Sequence, residues 1–504
     1  MNDVVAQTQW GKVRGEVVGN VLRFRGIPFA DRIDGPGRFT PSRPPQPWSG
    51  IREAAQWAPP IPQVADAAAT ADAEYFRFMF GESYPTPASE DGLFLDLWTP
   101  SLDRAAKRPV MVWLHGGAFI SGAPSRPRDD GASLAAKGDV VYVAPNHRLG
   151  ALGYLYLDEL VNRGASSANV GMLDIVACLE WVAGNIESFG GDPGNVTVFG
   201  ESGGAFKTAT LLAMPKARGL FHRAICQAGV FAEGFLSVLS RQEATELSRK
   251  FLGSLGPNAA AETLDCLSVE RIISAQNLAS SGALSWRPVA DGEVLPESPE
   301  KAAEHGSTVA IPLLLGTSLH EADVLARYGE SFAARTPEEL VPALGERAKD
   351  LFQKYRAAEG NRKTSEIVNA ILSDWFFRIP SIRFAEAYGA NGAPVYMYLF
   401  TWRNPREPEA RATHGSEGPF IFGTLDATAQ TRGAPGAEEL SRKMQGAWLA
   451  FARSGDPNHA GIPRWHEYSP DRRATMVFDE TVREVDDPYG QERIAWVDVG
   501  KQRA

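Results

Sequence analysis

The sequence predicts an α/β fold with a mostly parallel central sheet covered by helices, and three observations carry that expectation. Near-continuous apolar runs of strand length recur along the chain. Stretches with helical spacing lie between them. Only the start of the chain alternates with the period of an antiparallel hairpin. Strands alternating with helices are the pattern of a sheet with both faces covered.

In chain order, "KVRGEVVGNVLRFRGIPFA" (12–30) alternates at period two around Gly19-Asn20 and reads as a small N-terminal hairpin. "PVMVWLH" (109–115), "VVYVAPN" (140–146), "NVTVFG" (195–200), "IPLLLG" (311–316) and "VYMYLF" (395–400) read as strands. Unbroken apolar runs suit strands buried on both faces, because no position along them can be left to water. Met172, Ile175, Val176, Leu179, Val182 and Ile186 recur at helical spacing. So do Leu440, Met444, Trp448 and Phe451, and "RSGDPN" stops that helix with Gly and Pro. The Ala-rich stretch 64–74 and the region 230–310 read as surface or cap segments. There is no internal repeat and no Gly/Ser linker between independent domains.

At 504 residues the chain is long enough for two domains or one elaborated domain. Its 44% hydrophobic and 22% charged residues are those of a globular protein. The net charge of −10, without a Lys/Arg run, argues against a nucleic-acid partner. Cys178, Cys226 and Cys266 form neither a CxxC pair nor a disulfide framework. No run of apolar residues is long enough to span a membrane. The N-terminus lacks a basic segment followed by an apolar one. A cytoplasmic location is expected, or a secreted or periplasmic one where a leader has been removed.

The chain's one G-x-S-x-G is Gly200-Glu201-Ser202-Gly203-Gly204. An apolar strand precedes it and a helix-compatible segment follows, which is the context of a nucleophile elbow. The glycines two before and two after the serine answer the crowding of such a turn. "MVWLHGGAFISG" places His115-Gly116-Gly117-Ala118 after a buried strand. The N–H groups of Gly117 and Ala118, joined by that of Gly203, are the expected oxyanion donors. His115 is read as a support of that loop. Beyond the serine, "LLLGTSLHEADVL" (313–325) offers His320, Glu321 and Asp323 after a buried strand. A zinc site of the H-E-x-x-H kind fails, because Val324 stands at the fifth position. Glu321 and Asp323 then compete as the acid of a triad, and spacing does not choose between them. His414, followed by Gly415, completes the order Ser, acid, His.

With these motifs in place, the chain resembles the type B carboxylesterase family, which includes bacterial para-nitrobenzyl esterases, animal carboxylesterases and cholinesterases. "FGGDPGNVTVFGESGG" (189–204) is similar to its nucleophile signature throughout. "SEDGLFLDLWTP" (89–100) is similar to its second signature, with Gly92 where the family has cysteine. "FRGIPFA", "NHRLGALGYL", "RGLFHRAICQAG" and "FARSGDPNHAGIPRW" extend the likeness over nearly the whole chain. The resemblance implies a single α/β-hydrolase domain over 1–504, with cap-like segments at about 230–310 and 325–390. It also selects Glu321, since Gly316 to Glu321 fits the family's G-x-x-x-x-E-G apart from Ala322 in the last place. His414, Gly415 and Glu417 match its HG-x-E. Gly92 fits a bacterial-type enzyme, because it removes a cysteine paired in secreted animal members. Tyr75, Phe76, Phe78 and Phe80, without a tryptophan between 60 and 90, argue against choline esters.

The expectation is a serine hydrolase of small-molecule carboxylic esters with the triad Ser202, Glu321 and His414, needing neither metal nor organic cofactor. An amide or carbamate hydrolase would use the same triad, and a non-catalytic adhesion scaffold would not keep it. Glu201 is expected to shape the pocket and its field. Lys207 is read as its ion-pair partner, or alternatively as a hold on a substrate carboxylate. Phe119, Trp375 and Phe376 are candidates for the pocket wall, and Trp375, Phe376 and Phe377 together read as gorge lining or, more simply, as core. The oligomeric state and the physiological ester are not readable from these residues.

Overall fold

The computed structural model describes residues 4–63, 73–81, 87–124, 126–161, 167–231, 236–256, 261–282, 284–325, 334–360, 362–407 and 410–497. Most of the Ala-rich stretch 64–74 lies outside them. The chain forms two compact units. One comprises Met1–Asp66, Ser83–Ile225 and Val238–Val309, the other Ala67–Glu82, Cys226–Ser237 and Ala310–Ala504.

In the first unit β1 (Val5–Gln7), β2 (Lys12–Arg14) and a later strand build a small sheet beside the main one. The expected hairpin is therefore shorter than its alternating run. It is β3 (Glu16–Val18) and β4 (Val21–Pro28), turning at Gly19-Asn20, while Lys12–Arg14 leaves for the small sheet. A charge fixes the hairpin's register: Glu16 accepts from Arg23 at 2.9 Å and Arg25 at 2.7 Å, both on β4. The third strand of the small sheet, β5 (Ile51–Glu53), runs parallel to β2.

The main strands of this unit are β6 (Phe94–Thr99), β7 (Arg108–Leu114), β8 (Val141–Pro145) and β9 (Gly191–Glu201). With the hairpin their order is β9-β7-β8-β6-β4-β3. Pairing is parallel along β9-β7-β8 and antiparallel from β8 outward. Every residue of β6 and β8 is buried. The helix Val170–Asn185, read from apolar residues at helical spacing, is buried on nearly every side, so that spacing marks only part of its apolar surface.

Strand β10 (Arg223–Gln227) begins in the first unit and ends in the second. The short parallel pair β11 (Leu239–Ser240) and β12 (Val289–Ala290) lies in the first, among the helices Arg241–Ser254, Val269–Ala279 and Pro299–His305. The second unit holds β13 (Leu313–Ser318), β14 (Val395–Phe400) and β15 (Ala474–Phe478) in parallel, with β16 (Arg483–Asp486) antiparallel at the margin. Its helix Ala437–Ser454 ends at Gly455 in the left-handed region, as the Gly-Asp-Pro stop predicts. Among the described residues no helix is long and apolar enough to cross a membrane, and the three cysteines are free.

Candidate active site

In the first unit β9 runs straight into the helix Gly203–Ala213, and Ser202 is the residue between them. Its backbone sits at φ 55°, ψ −122°, a region that L-residues seldom enter. Such a conformation costs on the order of 1–3 kcal/mol and persists only where the surroundings over-determine it. The surroundings here are backbone. A Cβ added at Gly200 would lie 2.4 Å from the Gly204 carbonyl carbon, and one at Gly204 would lie 1.8 Å from the Leu114 oxygen. The two glycines therefore let strand, turn and helix close on one another, and the turn holds Ser202 partly exposed. The following helix directs its positive end at the same place.

The turn after β7 packs against this elbow. An added Cβ at Gly203 would meet the Ala118 oxygen at 2.1 Å, and one at Gly116 would sit 3.4 Å from Ser202 Cβ. Gly117 and Ala118 both have positive φ, 96° and 53°. Among the described residues, the N–H groups of Gly117, Ala118 and Gly203 donate to no protein acceptor. Three N–H groups without a protein acceptor thus lie on the two turns that pack together at Ser202.

The carbonyls of the same turn are all engaged. His115 Nδ1 lies 2.9 Å from the Gly116 oxygen, which makes Nδ1 the protonated nitrogen. Ile120 and Ser121 N–H donate to Gly117, at 3.3 and 3.1 Å. Lys207 Nζ donates to His115 and Ala118, at 3.2 and 3.0 Å. Lys207 is fully buried, 5.3 Å from the centroid of Phe119. Burial, with Arg126 second, pulls it down to about 7, while Glu201 pulls the other way. The expected ion pair is thus replaced by two bonds to the loop, with Glu201 acting through its charge. Buried beneath the loop, Lys207 presents no surface to a substrate carboxylate. Phe119 is a core residue too, edge-on to Tyr154 at 5.2 Å. Glu201 is buried, with Arg128 Nη2 at 3.7 Å. His115 stacks flat on His147 at 4.6 Å, and burial holds both imidazoles well below the usual histidine range.

In the second unit Glu321 and His414 meet. Glu321 Oε2 lies 2.5 Å from His414 Nδ1, and its Oε1 accepts from the Ser318 N–H at 2.6 Å. Both side chains are buried. The loops that carry them are stitched together by a bridge between His320 and Thr413, with the His320 N–H donating to Ala412 at 2.8 Å. Asp323 is engaged elsewhere, accepting from Arg411 and, at 2.6 Å, from Asn369. Glu417 accepts from Ser318 Oγ at 3.2 Å. The ring of Phe377 lies 4.9 Å from that of His414.

A family model described as the carboxylesterase family matches residues 2–497. The chain belongs to that family. The para-nitrobenzyl esterase of Bacillus subtilis (strain 168) is 35% identical to it, over 98% of each protein. Human carboxylesterase 3 is 32% identical, over 92% of this chain and 85% of that protein. The crystal structure of a Geobacillus stearothermophilus carboxylesterase at pH 6.2 superposes with a TM-score of 0.86 at 36% identity, covering 98% of this chain and all of that one. The fold is that of the α/β-hydrolases, with a mostly parallel central sheet and flanking helices. In this carboxylesterase-family chain the sequence presents Trp375, Phe376 and Phe377 together, as gorge lining or as core, without saying that Phe377 meets His414. Phe376 is buried against Trp375 at 4.7 Å, and the π-helical turn Asp374–Arg378 sets all three. The contacts of Lys207 were equally unreadable, because nothing in a sequence says which carbonyl a buried ammonium meets.

Proposed function

We propose that the chain hydrolyses small-molecule carboxylic esters through a covalent acyl-enzyme on Ser202, with the two units acting as one hydrolase domain. Ser202 Oγ attacks the ester carbonyl while His414 Nε2 takes its proton. Glu321, on the Nδ1 side, fixes the tautomer and stabilises the imidazolium that forms. The oxygen of the tetrahedral intermediate receives the N–H groups of Gly117, Ala118 and Gly203. His414 then returns the proton to the leaving alcohol, and water repeats the sequence to free the acid. No step calls for a metal or an organic cofactor.

The observation that carries this reading is the strained Ser202, held beside three N–H groups without protein acceptors. A structural serine would have no reason to store that strain. The test is an organophosphonate probe with mass mapping of the adduct, beside turnover of short para-nitrophenyl esters. The adduct is expected on Ser202, and Ser202→Ala is expected to abolish both adduct and turnover. Unchanged turnover in Ser202→Ala would falsify the reading.

A further inference from the structure

We infer that Lys207 is a positioning residue of the oxyanion hole, clamping the peptide groups on either side of its two loop donors. The inference rests on the acyl-enzyme reading above and deepens it. The N–H groups of Gly117 and Ala118 belong to the peptides 116–117 and 117–118. Lys207 Nζ bonds the carbonyls of His115 and Ala118, which belong to the peptides immediately before and after that pair. A peptide is rigid, so fixing the oxygens of the flanking units fixes the planes between them. One amino group, which has N–H donors for both carbonyls in either protonation state, thereby sets the direction of two donors.

The rest of the turn agrees. His115 Nδ1 and the N–H groups of Ile120 and Ser121 take the carbonyls of Gly116 and Gly117, so all four oxygens of residues 115–118 are tied on the protein side. Ala118 is a non-glycine at φ 53°, a conformation that needs outside restraint. Its oxygen lies 3.0 Å from Nζ. Lys207 rises from the first turns of the helix that follows Ser202. The clamp therefore ties the donors to the element that also orients the nucleophile. An aliphatic side chain of the same length would fill the space and leave two carbonyls, one buried and one part-buried, without this donor.

Preorganised donors aimed at the developing charge act on the transition state more than on the bound ester. Lys207→Met is therefore expected to lower kcat on a para-nitrophenyl ester by about 10²-fold, with KM changed by less than about threefold. Affinity for a trifluoromethyl ketone, which forms a tetrahedral adduct, is expected to fall in parallel with kcat/KM. Inhibition by the product carboxylic acid is expected to stay within about twofold. Lys207→Gln, which keeps an N–H donor, is expected to retain more rate than the Met variant and serves if that variant does not fold. A folded Lys207→Met with wild-type kcat would overturn the clamp, as would a loss that falls on KM alone. A Gln variant no better than Met would overturn it too. Wild-type protein that neither turns over esters nor takes the phosphonate would instead sink the acyl-enzyme reading itself.

Discussion

Two carboxylates two residues apart divide their work by hydrogen bonding. Glu321 gives one oxygen to His414 and the other to the Ser318 N–H, while Asp323 is taken by Arg411 and Asn369. Only the first arrangement can hold an imidazole tautomer and support its charge. Glu321→Gln is therefore expected to lower kcat by roughly 10³–10⁴-fold with the fold intact, the scale of removing the charge of a triad acid. Asp323→Asn is expected to keep kcat within severalfold and to lower the melting temperature, because Arg411 loses its partner. Steady-state kinetics and thermal melts of the two variants separate these outcomes, and the reverse pattern would move the acid to Asp323. The sequence points to Ser202 through glycines that backbone crowding demands, and to His414 through the order Ser, acid, His. Spacing left the acid open, since both carboxylates follow β13 on one short loop. Family likeness chose Glu321. The physical reason for that choice is the bridge from His320 to Thr413, a long-range contact that no local pattern encodes.

At the scale of elements, the π-helical turn Asp374–Arg378 shows where helical periodicity stops informing. A π turn holds an extra residue, so side chains beyond its start leave the face that a 3.6 repeat assigns them. Phe377 ends against His414. What keeps the turn is a buried network. Arg378 Nε and Nη2 bind the two oxygens of Asp374, both at 2.6 Å, across four residues. Tyr355 donates to the same carboxylate and receives Trp496 Nε1 at 2.7 Å. Arg378 Nη1 also reaches the Pro488 carbonyl at 3.1 Å. Removing one partner of a buried pair strands the other charge, which costs about 3–5 kcal/mol. Arg378→Met is expected to lose stability on that scale in urea unfolding. Its kcat should fall while the mild Phe377→Leu change affects kcat with little loss of stability. Equal stability in Arg378→Met and wild type would count against this account. Four of the five strands read from apolar runs, by contrast, were legible to within two residues, because burial on both faces leaves an unbroken apolar run in the sequence; β9 begins four residues before its run, and β6, β10 and β15 were not read at all. The hairpin was legible only in part: β2 and β3 share one alternating stretch, and their separation at Gly15 is a matter of which neighbour each finds.

For the whole molecule, buried ionisable groups set how stability follows pH. His115, His147 and His320 are each held well below the usual histidine range, by burial first and by neighbouring cations or, for His147, also by His115. The folded chain keeps them neutral, whereas the unfolded chain protonates them below about 6.5. Stability from these groups is present above that value and is lost as pH falls. Each contributes a limiting slope of about 1.4 kcal/mol per pH unit. Asp96 opposes them. Burial pushes its carboxyl up to about 7, against the Gly26 N–H and Arg25. Between the unfolded value near 4 and about 7 the folded state holds a proton that the unfolded state has lost, so this contribution falls as pH rises. Lys207 acts above neutrality. Held at about 7 when folded, it is neutral where the unfolded lysine is still charged, so stability rises with pH up to about 10. From pH 5 toward 6.5 three histidines outweigh the two raised aspartates, Asp96 and Asp130, and beyond 7 Lys207 continues the rise. The melting temperature is therefore expected to climb from pH 5 to pH 8. Asp130, its carboxyl also pushed up by burial, opposes in the same sense as Asp96, and Asp96→Asn removes one of the two; its melting temperature relative to wild type should therefore increase as pH goes from 4 to 8. A difference that stays constant over that range would mean that Asp96 is ionised in the folded protein, with Arg25 and Arg23 compensating its burial.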